Sequence, residues 1–278
     1  MGDKIEKIGE SLIQHGKFND RIYLLKLKDK NVEILADQLD SLALKQGYKK
    51  IFAKISAEAL PCFLIKGYII EAFIPKFFRG SEDCIMVSKF YDKGRGTVPG
   101  AELKFFGKMI SEARNTNKER MNYHPEYTSA ELDQSDSVEI SGIFKEVFET
   151  YPFPVHDPGY ILETMKTGKA KYFGIHDGNK LIGVSTAEID ISEENAEMTD
   201  FAVLPQYRGK GLAYHLLLHM EDEMRAGGMK TCYTIARLKE PGMNKTFIKA
   251  GYKYAGTVVN NTNIGGSIES MNIFYKHV

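Results

Sequence analysis

An α/β fold in two halves is the class this sequence predicts, and three observations predict it. A strand, a glycine turn and a helix follow one another over residues 196–226. A strand–helix–strand–strand unit comes next, over 230–278, and a unit of the same order lies far upstream, over 49–91. The two units share a short string: Phe247-Ile248-Lys249-Ala250-Gly251-Tyr252 echoes Phe63-Leu64-Ile65-Lys66-Gly67-Tyr68.

The elements follow in order. An amphipathic helix over 31–46 ends at Gly47, as the one over 212–226 ends at Gly227-Gly228. A strand at 50–55, a helix at 57–65 and strands at 69–74 and 84–91 complete the first unit. A helix at 101–113 is expected to pack across this first domain. The polar stretch from Arg114 to Arg120, with Pro125 beyond it, marks a boundary. It divides the chain into a smaller α/β domain, 1–120, and a larger one, 130–278. The larger domain opens with a helix carrying Val138, Ile140, Ile143, Phe144, Val147 and Phe148. Tyr151-Pro152-Phe153-Pro154 breaks it, because proline cannot continue a helix. A helix at 158–165, strands at 171–176 and 181–189, and a strand at 196–205 stopped by Pro205 lead to the glycine turn. Leu212, Ala213, Leu216, Leu217, Met220 and Met224 then recur at helical spacing. A strand at 230–238, a helix at 243–249 and two strands ending Ile273-Phe274-Tyr275 close the chain.

Composition excludes several classes. Lys+Arg and Asp+Glu are both 37 in 278 residues, so no net charge favours nucleic acid or an anionic membrane. No apolar run is long enough to span a bilayer, and the first residues carry no apolar signal segment. Cys62, Cys84 and Cys232 are scattered, and read as buried thiols of a reducing cytoplasm. The seven histidines show no metal-ligand spacing, so no metal is expected.

The turn Gln206-Tyr207-Arg208-Gly209-Lys210-Gly211 is the most chemical feature. Gly209 and Gly211 let the backbone approach a ligand closely. The amides beyond them open a helix N-terminus with its partial positive charge, and Arg208 and Lys210 add full charges. That combination suits a pyrophosphate. There is no Gly-Lys-Ser/Thr after a longer glycine loop, as a Walker loop needs, and no third glycine with a ribose-binding acid. Gln-x-x-Gly-x-Gly between strand and helix resembles the coenzyme A turn of the GCN5-related N-acetyltransferase (GNAT) superfamily, and residues 130–278 follow that family's element order. The resemblance implies a mixed, mostly antiparallel central sheet flanked by helices, with acetyl-CoA as co-substrate. The first domain then looks like a partial copy. It has Lys26-Leu27-Lys28-Asp29-Lys30-Asn31 in place of the glycine turn, so one acetyl-CoA site per chain is expected. Its role is read three ways: widening the acceptor pocket, pairing sheets, or forming a homodimer contact.

Four strings are more specific: Thr150-Tyr151-Pro152-Phe153-Pro154, Glu197-Met198-Thr199-Asp200-Phe201, Gly242-Met243-Asn244 and Glu269-Ser270-Met271-Asn272. They resemble the beta-lysine N-acetyltransferases, which acetylate the N6 amine of L-beta-lysine to give a compatible solute. The resemblance implies Glu197 and Asp200 as catalytic acids. A regular strand points them to opposite faces, and a bulge would bring both to the site. It implies Phe201, Val203, Arg208, Gly209, Lys210, Gly211, Leu212, Ala213, Asn244 and Phe247 around the coenzyme, with the Val203 amide facing the oxyanion. Asn244 reads equally as a helix cap. Phe247 stands where many relatives carry a proton-donating tyrosine, so no general acid is assigned. Tyr151, Phe153, Arg237, Glu269 and Asn272 are the candidates for the acceptor amine, Arg237 as a fork for its carboxylate. Another small amine (a polyamine or amino acid), a protein lysine, and a non-catalytic acetyl-CoA module are the competing readings.

Overall fold

The computed structural model describes residues 3–115 and 126–278. Its first half runs β1 (Lys4–Ile8), β2 (Ser11–Gly16), β3 (Arg21–Lys26), α1 (Val32–Gln46), β4 (Lys50–Ser56), α2 (Leu60–Ile65), β5 (Ile69–Phe78), β6 (Glu82–Phe90) and α3 (Gly100–Asn115). The second half opens with β7 (Tyr127–Leu132), α4 (Ser137–Val147), α5 (Pro158–Lys166), β8 (Ala170–Asp177), β9 (Lys180–Asp190) and β10 (Asn195–Val203). It ends with α6 (Leu212–Ala226), β11 (Thr231–Arg237), α7 (Pro241–Lys249), β12 (Lys253–Ile264) and β13 (Ser267–His277). The strands form one sheet in the order β1-β2-β3-β4-β6-β5-β12-β13-β11-β10-β9-β8-β7. Two neighbouring pairs, β3–β4 and β10–β11, are parallel; the others are antiparallel, as a mixed GNAT-type sheet requires.

Outward from the β5–β12 seam, each half shows the same succession of strands. The likeness reaches single atoms. Tyr68 donates its amide to the Phe63 carbonyl at 3.2 Å, as Tyr252 does to Phe247 at 3.0 Å. The Phe63–Tyr68 and Phe247–Tyr252 rings meet edge-on at 4.9 and 5.0 Å. Between them, Gly67 and Gly251 take φ of 84° and 87°, which a side chain resists.

Alternation along the strands sorts the side chains into two faces. In the first half, Ile22, Leu24, Ile51, Ala53 and Ile55 pack beneath Leu35 and Leu39 of α1 and Phe63 of α2. In the second, Ile182, Val184, Ala196 and Met198 pack beneath Ile140 and Phe144 of α4 and Leu216, Leu217 and Met220 of α6. The opposite faces meet each other: Tyr23 and Phe52 share a core with Tyr233, Ile273 and Tyr275. The sheet therefore curls with its helices outside, and Lys26 of β3 pairs with Asp190 of β9 at 2.5 Å across the fold. Among the described residues no helix is long and apolar enough to cross a membrane.

Some expectations are corrected. Helix α3 packs on the second half, not the first, because Phe106 and Met109 enter that core and the Phe106 ring lies 5.2 Å from Tyr254. β7 lies ahead of the first expected helix of the second half; as a sheet edge it is mostly exposed and lacks apolar alternation. α2 is one short helix that begins only at Leu60. Cys84 and Cys232 are buried, their thiols pushed up to about 12 by burial, whereas Cys62 is half-buried. The boundary stretch runs from the end of α3 into residues outside the described ones.

Candidate active site

A cavity of about 740 Å3 opens between the halves, walled chiefly by β10, the turn and start of α6, β11 and α7. The cleft exists because β10 leaves its parallel neighbour: it pairs with β11 only over Asn195–Glu197. Beyond that point it stays bonded to β9 but shifts register between Thr199 and Ala202. This is the expected bulge, and Asp200 sits in it with φ of 54°. A non-glycine residue held there is strained, a condition that clusters at functional sites. Past the bulge Ala202 pairs with Val184, and the Leu204 amide donates to the Ile182 carbonyl at 3.0 Å. Alternation then turns the Val203 amide away from β9, toward the gap.

Glu197 and Asp200 both line the cavity, and Glu188 lines it with them. Glu188 is the cross-strand partner of Glu197. Burial, then the charges of Glu197 and Asp200, push its carboxyl up to about 8. Burial also raises Glu197, against the pull of Lys54 and a hydrogen bond from Tyr233. Asp200 is raised by burial too, and accepts the hydroxyl of Tyr151 and that of Thr199 at 3.2 Å. Three carboxylates sharing one pocket hold a proton at higher pH than any would alone. Lys54 and Tyr233, bonded at 3.0 Å, complete the cluster. Counting outward from the 190–195 hairpin would have placed Glu188 opposite Glu197; nothing short of the sheet's curl brings Lys54 there.

The glycine turn forms as expected. Gly209 and Gly211 take φ of 82° and 74°, and Gly211 caps α6 with no side-chain hydrogen bond. The amides of Gly209, Lys210, Gly211, Leu212 and Ala213 have no hydrogen-bond partner among the described residues. Five unpartnered N–H groups at a cavity mouth form an anion cradle. The charges do not point into it. The Lys210 Nζ lies 2.6 Å from the Tyr127 hydroxyl, over the rings of Tyr127 and Tyr207. Arg208 folds its Nε back onto the Val203 carbonyl at 3.2 Å. Phe201 and Phe247 meet edge-on at 5.7 Å in the wall, and Tyr151 and Phe153 line the same cavity.

Four expected contacts are taken up internally. Arg237 spends its fork on Glu269 through Nε at 2.9 Å and Nη2 at 2.8 Å, with Glu240 3.2 Å from Nη1. Glu269 is thereby occupied as well. Asn244 is fully buried; its Nδ2 donates to the carbonyls of Arg237 and Glu240, and its Oδ1 accepts from Asn272 Nδ2 at 2.8 Å. Asn272 also accepts from Thr257 at 2.7 Å. These four brace the ends of β11 and α7; Asn244 lies inside α7 and donates to carbonyls, so it is not the helix cap, a position that Glu240 holds with no side-chain hydrogen bond.

The comparisons agree with this geometry. The model of the acetyltransferase (GNAT) family matches residues 139–252. A beta-lysine N(6)-acetyltransferase of Methanococcus maripaludis is 40% identical over 99% of this chain and 98% of its own. One from Methanosarcina mazei is 30% identical over 76% of this chain and 84% of its own. The N-acetyltransferase YodP of Bacillus subtilis is 30% identical over 96% of both. With a glycine cradle, a bulged acidic strand and near-full-length relatives of this kind, the chain belongs to the GNAT family of N-acetyltransferases.

Proposed function

We propose that the protein transfers the acetyl group of acetyl-CoA to the N6 amine of L-beta-lysine in the cytoplasm, giving N6-acetyl-beta-lysine. One observation carries the reading: the amide cradle and the three raised carboxylates open onto the same cavity. Similarity to two proteins named for that acceptor, one of them over 99% of this chain, supports it. We also infer that residues 1–120 and 130–278 are two domains, the first a partial copy of the second.

Acetyl-CoA supplies a thioester as acyl donor. The Gly209–Ala213 amides would hold its pyrophosphate, and Phe201, Val203 and Phe247 would flank its arm. The amine has a pKa of roughly 10.4, so freeing its lone pair at pH 7 costs about 4.6 kcal/mol. Glu197 and Asp200 attract the ammonium and accept its proton, while Glu188, raised to about 8, stays protonated beside them at pH 7. As the C–N bond forms and the C–S bond breaks, the Val203 amide opposes charge on the acetyl oxygen. Phe247 cannot donate a proton, and a thiol pKa of ~8.5 lets thiolate depart without one.

Thiol release from acetyl-CoA, followed with beta-lysine, lysine, spermidine and a lysine peptide, tests this. Beta-lysine is expected to give the highest kcat/KM. Release favouring another amine, or binding of acetyl-CoA with no release under any acceptor, overturns it.

A further inference from the structure

Past the acids, the cavity extends into the first half, where Arg21, Tyr23 and Leu25 stand in its wall. Residues two apart on a strand share a face, and the curl of the sheet turns this face of β3 inward. Arg21 is 4% exposed. Its Nη1 donates to the Asn261 carbonyl at 2.7 Å and to Thr262 Oγ1 at 3.3 Å, while its Nε is buried with no hydrogen-bond partner. Among the described residues no carboxylate comes within ion-pair distance of it; Asp3 and Glu197 act on it only through space, and Arg95 adds a second positive charge. A buried cation normally has an anion beside it, because desolvating it alone is expensive. Lys54 is the contrasting case. Its Nζ has a hydrogen-bond partner in the Tyr233 hydroxyl at 3.0 Å and is held charged, against burial, by Tyr23, Tyr233 and Glu197, so it is not left without a contact as the Arg21 Nε is.

One end of the cavity is thus acidic and the other cationic. We propose that Arg21 binds the carboxylate of the acceptor, so that the first half of the chain selects amino acids over plain polyamines. This rests on beta-lysine being the acceptor: its N6 ammonium meets Glu197 and Asp200 while its carboxylate, at the other end, meets the guanidinium and gives Nε the acceptor it lacks. A polyamine would set a second ammonium against Arg21 instead, and like charges repel.

The test compares kcat/KM for beta-lysine and for its carboxamide, in the wild type and in Arg21→Gln. A hydrogen-bonded charge pair corresponds to ~10–100-fold, so the wild type is expected to favour the acid by that ratio. Arg21→Gln is expected to bring the ratio close to one. Both substrates are read on one preparation, so any unfolded fraction cancels. Should Arg21→Gln not fold, Arg21→Lys keeps the charge without the fork, and its ratio is expected to fall between. A ratio unchanged in the variant means Arg21 merely supports the fold and overturns the proposal, leaving the acceptor reading intact. A wild type that acetylates diamines but not beta-lysine overturns both.

Discussion

The two halves differ most between strand and helix. In the first, β3 ends at Lys26, five residues (27–31) lead to α1, and the Asn31 side chain caps the helix by accepting the Ile34 amide at 3.1 Å. In the second, β10 is bulged and runs to Val203, eight residues (204–211) follow, and Gly211 leaves the helix amides open. Across the hairpins the contrast repeats: Gln14 pairs with Tyr23 where Glu188 pairs with Glu197. The same frame carries a satisfied helix end and a neutral strand pair in one half, and an open helix end and an acid pair in the other. The curled sheet brings a face of the first half, with Arg21, Tyr23, Leu25 and Lys54, up to the acidic site of the second.

If the halves depend on each other, their seam should be the place to break them. There Lys50 Nζ reaches Glu71 at 3.0 Å and the Val259 carbonyl at 2.6 Å, and Glu71 accepts the Val259 amide at 2.8 Å. The two side chains are 0% and 3% exposed. Lys50→Met strands a buried carboxylate and is expected to cost ~3–5 kcal/mol in urea unfolding. A cost below about 1 kcal/mol would show that the seam is held by something else. Next in size, Glu197→Gln or Asp200→Asn should lower turnover by ~10²-fold or more. Because both carboxyls are raised, the wild-type kcat/KM should fall on the acid side at a pH above the ordinary carboxylate range. Near-normal turnover in both variants across pH would take these acids out of the chemistry.

Much of this contrast is legible in the chain itself. Proline and glycine punctuation and apolar period locate α1, α6 and the β10 turn to within a residue or two, since those signals are local. The bulge at Asp200 is not local in that sense: it is expected only once the family resemblance puts both acids at one site, since a regular strand points them to opposite faces. What local signals do not carry is partnership. Arg237 and Glu269 lie 32 positions apart, and only β11–β13 pairing reveals that they satisfy each other. Asn272 of β13 reaches Asn244 of α7 across 28 positions, a contact that only the packing of that helix end reveals. Arg21 and Lys54 reach the cavity through the curl of the whole sheet, to which no single segment testifies.

Filling the open helix end sharpens the comparison further. Gly211→Val forces a β-branched residue into φ of 74°, a left-handed conformation costing ~1–2 kcal/mol. It also places methyl groups beside the cradle. If the free variant relaxes out of that conformation, acetyl-CoA must restore it on binding, so its KM is expected to rise ~10-fold, with KM for the amine little changed. A rise confined to the amine would mean the cradle holds no pyrophosphate.

The smallest effect is the most diagnostic, because Glu188→Gln gives the second half the side chain that the first carries at Gln14. The folded protein holds a proton on Glu188 up to about 8, whereas an unfolded chain releases it near 4.5. Between those values the folded state binds more protons, so its stability falls as pH rises through the window. Glu197 and Asp200, also raised, act with the same sign. Gln cannot titrate, and its neutral amide relieves the two remaining acids. The wild-type Tm is therefore expected to drop from pH 5 to pH 8 by more than that of Glu188→Gln. The two melting curves should lie nearest at pH 5 and separate with the variant above at pH 8. Parallel curves would mean that Glu188 is solvated and ordinary, and that the acid cluster is held by Lys54 alone.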